Sequence, residues 1–183
     1  RSASGKGHYD VVKLLLSDER VDPSAEDNDA IKMASDYVHL EIVKLLLRDV
    51  RVDPSAQNNY AFKWSFRNRH YDVAKILLSD ERVDPSVEDN YAIKWASKND
   101  LEIVISLLSD ERVDPSVEDN FAIKLAFKSG HVDIVKLLLS DERVDPSASA
   151  ITSACKYGHY EIVKLLLSDG RADPSVNNHT IIL

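Results

Sequence analysis

Nine-residue blocks of one design recur along the chain: HLEIVKLLL from His39, HYDVAKILL from His70, HVDIVKLLL from His131 and HYEIVKLLL from His159. In the first, polar residues fall at Glu41, Lys44 and Arg48, three and four apart, leaving Ile42, Val43, Leu46 and Leu47 for the interior. That spacing predicts an amphipathic helix with its apolar stripe turned inward. The blocks run into Ser-Asp-Glu-Arg or a relative of it and then Val-Asp-Pro, or Ala-Asp-Pro after the last. The residue ahead of a proline is driven to extended backbone, so the helix must stop there.

A shorter pattern precedes these blocks: DAIKMAS from Asp29, YAFKWSF from Tyr60, YAIKWAS from Tyr91 and FAIKLAF from Phe121. The Asn or Asp just before each is placed to accept from the free amides of a first helical turn. Divided by a 3.6-residue period, Ala61, Phe62, Ser65 and Phe66 fall on one side, and Tyr60, Lys63, Trp64 and Arg67 on the other. Ala92, Ile93, Ala96 and Ser97 oppose Tyr91, Lys94, Trp95 and Lys98 in the same way. Ala122, Ile123, Ala126 and Phe127 oppose Phe121, Lys124, Leu125 and Lys128. Between the two helices stands Gly7, Gly130 or Gly158, suited to a left-handed terminator. Val38 and Arg69 take that place in two copies, and in another Asn99 runs straight into Asp100. Those joints are expected to be strained or differently built, by about 1 kcal/mol each.

The helix pair is a repeating unit. Asp-Pro begins at Asp22, Asp53, Asp84, Asp114, Asp145 and Asp173, in steps of 31, 31, 30, 31 and 28 residues. The phrase LLSDERVDPSVEDN, read from Leu77 and again from Leu107, is the connector. A period near 31 predicts an all-α solenoid built by stacking. Its expected divisions are a partial repeat at 1–21, full repeats at 22–52, 53–83, 84–113, 114–144 and 145–172, and a partial repeat or tail at 173–183. They are numbered one to seven below.

A helix, a Gly-His joint, then His-Leu-Glu-Ile-Val-Lys-Leu-Leu-Leu resembles the second half of an ankyrin repeat, and the likeness returns in every copy. It implies an ankyrin-type helix-turn-helix stack that binds proteins through its concave face. The family's Thr-Pro-Leu-His opening is replaced here by Tyr-Ala-Ile-Lys at Tyr91 and its relatives. Asp-Pro-Ser stands where the family often has Asp-Val-Asn, and the connector is shorter, so short loops are expected in place of long paired fingers.

Composition narrows the function. The 183 residues are 44% apolar and 30% charged, as in a folded soluble protein. A net charge of -8 disfavours nucleic acid, because phosphate contact depends on clustered Lys and Arg. Apolar runs are too short to span a membrane, and no signal peptide is visible. A single cysteine, Cys155, rules out an intramolecular disulfide and suits a reducing, intracellular and cytoplasmic setting. The first residue is arginine, which allows the sequence to be a fragment.

Chemistry is not expected. His8, His39, His70, His131 and His159 share one repeat position, so about 10 Å separates neighbours, too far for one metal. They read as residues that help start the second helix. The carboxylates are periodic too, whereas a catalytic pair needs one asymmetric pocket. Cys155 reads as a buried, inert thiol. Neither cofactor nor small-molecule substrate is expected, and the chain reads as a monomer and not an enzyme.

Binding is expected where the first helices repeat an aromatic, a cation, a large apolar residue and another cation. Tyr, Trp and Arg most often dominate interface energetics. The candidate residues are Tyr60, Lys63, Trp64, Arg67, Tyr91, Lys94, Trp95, Lys98, Phe121, Lys124 and Lys128, beside acidic connectors at Glu88 and Asp89 and at Glu118 and Asp119. A competing reading has Trp64 and Trp95 packed between neighbouring repeats and the lysines merely neutralising nearby carboxylates. At the level of function, the competitors are a structural spacer and the substrate-targeting arm of a larger enzyme, such as a ubiquitin ligase, whose catalytic part lies outside this chain. The tail residues Ile181, Ile182 and Leu183 are expected to fold onto repeat six or to need cover from elsewhere.

Overall fold

The computed structural model describes residues 2–98, 100–146 and 149–175, with Ser149 described in its backbone alone. The tail residues Ile181 to Leu183 lie outside this range. The chain forms two compact bodies, 1–87 and 88–183. After a single 3-10 turn at Ser4–Lys6, the first body carries α1 (Tyr9–Leu16), α2 (Ala25–Asp36), α3 (Leu40–Leu47), α4 (Ala56–Arg67) and α5 (Tyr71–Leu78). The second carries α6 (Val87–Ala96, from its second residue on), α7 (Leu101–Leu108), α8 (Val117–Ser129), α9 (Val132–Leu139), α10 (Ser149–Lys156) and α11 (Tyr160–Asp169). Among the described residues there are helices and no strands.

Each body has two layers. In the first, α2 packs on α4 while α1, α3 and α5 stack in turn. In the second, α8 packs on α10 while α7, α9 and α11 stack. The apolar stripes supply the seams: Ile42, Val43 and Leu46 are buried, as are Ile134, Val135 and Leu138 at the same register. Leu47, expected inside, is only half-buried, because it sits at the last turn where the chain leaves for the connector. The close-packing sides of the first helices are sealed throughout, with Ala61, Phe62, Ser65 and Phe66, then Ala92, Ile93, Ala96 and Ser97, then Ala122, Ile123, Ala126 and Phe127 all buried.

The joint between helices is closed by a backbone bond that reaches back five positions. The His39 N–H donates to the Ala34 carbonyl at 2.9 Å, and His70, His131 and His159 bond Ser65, Ala126 and Ala154 in the same way. This is the Schellman closure, and it places one residue in left-handed backbone. Gly130 adopts it at φ 75°, while Val38 and Arg69 are held there at 59° and 61°, so both joints keep the glycine geometry with side chains that disfavour it. Repeat four is built differently. Asp100 is extended, at φ -132°, and its carboxylate accepts from the Ile103 N–H at 3.0 Å, giving α7 a side-chain cap.

The connectors begin alike. The Asp53 carboxylate accepts from both the backbone and the hydroxyl of Ser55, closing a turn around Pro54, and Asp22, Asp84, Asp114 and Asp173 do the same. Three residues in succession then turn left-handed: Glu26 to Asn28, Gln57 to Asn59, Glu88 to Asn90 and Glu118 to Asn120. Consecutive left-handed L-residues cost about 1–2 kcal/mol each, so something must hold them. The asparagine does. Instead of capping its own helix, Asn28 accepts at Oδ1 from the Asp53 N–H at 2.7 Å, one repeat onward. Asn59, Asn90 and Asn120 accept equally from Asp84, Asp114 and Asp145. The expected cap is thus an inter-repeat tie. The sequence of repeat six lacks these three residues, which accounts for its 28-residue step.

A second tie also joins neighbouring repeats. Arg82 grips Asp80 with two nitrogens, at 2.8 and 2.6 Å, and reaches back to the carbonyls of Val52 and Leu47 in the preceding repeat. Arg51 and Arg171 repeat the whole arrangement. Arg143 grips Asp141 and the Val113 carbonyl.

Candidate partner-binding surface

With the Ala-Ile side of each first helix buried, the opposite side is what these helices can present. In the first body, α4 sets Tyr60 and Trp64 one turn apart, with ring centroids 5.6 Å from each other. The Arg67 guanidinium lies over the Trp64 ring at 5.4 Å, a distance at which the ring face attracts a cation. Tyr60 and Trp64 are half-buried and Arg67 is exposed. The phenol of Tyr60 is held above its ordinary pKa by burial first and by the carboxylates of Asp36 and Asp29 next. Asp36 is itself raised, chiefly by burial.

In the second body, α6 repeats the pair: Tyr91 and Trp95 are 5.9 Å apart, and Trp95 is 39% exposed. Lys98 and Lys128 are exposed, while Phe121 is half-buried at the start of the α8 helical turns.

The inner lysines do something else. Lys94 is only 6% exposed and donates to the Glu118 carboxylate of the following repeat at 2.6 Å. Lys124 pairs with Asp119 of its own connector. Lys32, also buried, donates to the Glu26 carbonyl and sits over the Tyr60 ring. Lys63 is half-buried. Lys94 is therefore not presented as the sequence pattern suggests: its four-carbon stem is long enough to reach the connector, whose carboxylate offers a better partner than water at a buried site. Of the predicted cations, Arg67 is exposed in the first body and Lys98 and Lys128 in the second.

The histidines do not start their helices by a side-chain hydrogen bond. Instead the ring covers the preceding joint: a methyl group added at Gly130 would lie 2.6 Å from His159, and one at Gly7 would lie 2.7 Å from His39. His159 Nε2 also lies 3.3 Å from the Lys128 carbonyl. Among the described residues, no three His, Cys, Asp or Glu converge as metal ligands would. Cys155 is half-buried.

A family model for ankyrin repeats, three copies long, matches residues 1–89 and again 90–178. The chain belongs to the ankyrin-repeat family. No curated protein matches it significantly. Ankyrin repeats are generally protein–protein interaction modules. No helix among its described residues is long and apolar enough to cross a membrane.

What sequence reasoning missed in this ankyrin array is the paired tie of Asn and Arg. A signal was present: Asn28, Asn59, Asn90 and Asn120 stand at one register of repeats two to five, where Asp or Asn would equally serve a cap, and the Asp-x-Arg spacing never varies.

Proposed function

We propose that this ankyrin-repeat protein binds another protein through the outward side of its first helices. Tyr60, Trp64 and Arg67 form the contact in the first body, and Tyr91, Trp95, Phe121, Lys98 and Lys128 form it in the second. The observation that carries this reading is Trp95, 39% exposed beside Tyr91 on a helix whose opposite side is already sealed. Folding gains little from a large aromatic left there, whereas an interface gains much. Lys94 and Lys124 act indirectly, holding their helices against the connectors. The cations that remain stand at the far end of each helix, so the fitting partner carries an apolar anchor with a carboxylate close by. In this reading the protein is a monomeric, intracellular scaffold that takes no cofactor and leaves any chemistry to its partner.

The test is affinity capture with the wild-type array and a variant carrying Tyr60, Trp64, Tyr91 and Trp95 all changed to Ala, with folding verified by circular dichroism. A protein captured by the wild type and lost with the variant supports the proposal. Equal capture by both moves binding to the connectors or the second helices. Capture by neither favours a spacer.

A further inference from the structure

The end of α3 departs from its counterparts at two nearby positions. Ser17, Ser79, Ser109, Ser140 and Ser168 occupy one register, and repeat two has Arg48 there. Each of those serines turns its hydroxyl onto a carbonyl three or four residues back, as Ser79 does to Ile76 at 2.6 Å. Arg48 gives that bond up. Two residues on, Glu19, Glu81, Glu111 and Glu142 share a register, with Gly170 in repeat six, and repeat two has Val50, 91% exposed. One exchange adds a positive charge and the other removes a negative one, in a chain whose net charge is -8.

Folding accounts for the first exchange alone. A cation at a helix C-terminus gains from the helix dipole roughly what the lost hydroxyl bond gave. A single exposed valine would mean nothing by itself, but this one has a hollow and a cation for neighbours. The hollow, of about 280 Å³, is lined by Lys44, Leu47 and Arg48 of repeat two and by Ile76, Ser79 and Asp80 of repeat three. Leu47 and Ile76 are half-buried and give it an apolar lining. Two of its charges are already matched: Lys44 meets Glu41 at 2.7 Å, and Asp80 is gripped by Arg82 at 2.6 Å. Asp49, next to Arg48, is taken by Arg51 at 2.6 Å. Glu81, the acid that repeat three keeps, is not among the lining residues. Arg48 is exposed, and among the described residues no acid pairs with it. The hollow therefore holds one unmatched charge, and it is positive.

We propose that this second-helix surface of repeats two and three docks a protein segment that carries Asp or Glu beside an aliphatic residue. The carboxylate pairs with the Arg48 guanidinium, which can grip it with two nitrogens. The aliphatic neighbour enters the hollow against Leu47 and Ile76. Val50 adds apolar contact where the glutamate of other repeats would repel the segment. This site is separate from the first-helix side and does not rest on it.

The test uses the full chain and a phage-displayed library of random dodecamers, selected on the wild type and counter-selected on the double variant Arg48→Ser, Val50→Glu. That variant carries the residues found at these registers in repeats one, three, four and five, so its melting curve should match the wild type. The proposal expects peptides sharing Asp or Glu beside an aliphatic residue, bound about tenfold more weakly by Arg48→Ser because a charge-assisted hydrogen bond is lost. Arg48→Lys, which keeps the charge, should fall between the two, Trp64→Ala should leave the affinity unchanged, and added salt should weaken it. Basic or uncharged consensus peptides, equal binding by Arg48→Ser, or no peptide specific for the wild type would each overturn it. Binding lost with Trp64→Ala alone would do the same and return recognition to the first helices. So would concentration-dependent sedimentation abolished by Arg48→Ser, which would make a second copy of the chain the occupant.

Discussion

Val38 holds a β-branched side chain at φ 59°, in a place where Gly130 sits at 75° with a histidine ring closing over it. The two positions respond to substitution with opposite signs. Val38→Gly should stabilise the protein by about 1 kcal/mol, since glycine meets no steric penalty in left-handed backbone. Gly130→Ala should destabilise it by more than that, because the new methyl adds a clash with His159 to the conformational cost. Urea unfolding of both variants checks the pair, and the same sign for both would contradict this account of the joint. The strain at Val38 was legible in the sequence, because a glycine register makes its exceptions visible. The service of His159 was not: its contact is with a backbone 29 residues earlier, and no local pattern records that (159 less 130).

At the scale of the element, the connectors unite neighbours through groups with no hydrophobic signature. The Ser-Asp-Glu-Arg end reads as a solvated charge run, yet Arg82 is a four-bond clamp between two repeats. Carbonyl acceptors are present at every residue, so sequence could not say which ones it meets. The bonds from Arg51, Arg82, Arg112, Arg143 and Arg171 hold the carboxyls of Asp49, Asp80, Asp110, Asp141 and Asp169 below the usual carboxylate range. A carboxyl lowered in the folded state contributes stability above its unfolded pKa, near 4, and loses it as pH falls through the folded value. Asp36, raised by burial, works in the opposite sense and softens the loss slightly. Arg82→Gln should therefore lower stability by about 1–2 kcal/mol at pH 7, and the gap to wild type should narrow toward pH 3. Thermal melts across that range measure it. A gap that widens in acid would remove the Asp–Arg clamp from the account.

For the molecule as a whole, stability is a sum over neighbouring interfaces, and protection should follow the number of neighbours a helix has. In α1 the residues Val11, Leu14 and Leu15 are exposed, whereas Ile42 and Leu46, at the registers of Val11 and Leu15, are buried in α3. Hydrogen exchange should be faster in α1 than in α5, and equal protection would show that the first body unfolds as one unit. The all-helical repeat and most of the inward sides of both helices were readable from periodicity alone, with Leu47 at the last turn of α3 and the stripe of α1 as the departures. The presented surface was only half readable. Periodicity separates Lys94 from the core, but a long side chain can fold back to a connector carboxylate, and that choice is made in three dimensions.

We propose a division of labour in which Trp95 recognises a partner, while Asn90 holds repeats together. The most direct measurement is a paired melt and partner capture on Trp95→Ala and Asn90→Ala. Trp95→Ala should keep the wild-type melting temperature and lose capture. Asn90→Ala leaves the Asp114 N–H without its acceptor, costing about 1–3 kcal/mol. That corresponds to a melting temperature lower by about 2–4 °C per kcal/mol, with capture retained in the cold. If Trp95→Ala instead melts as early as Asn90→Ala and still captures the partner, the tryptophan is packing and the recognition surface lies elsewhere.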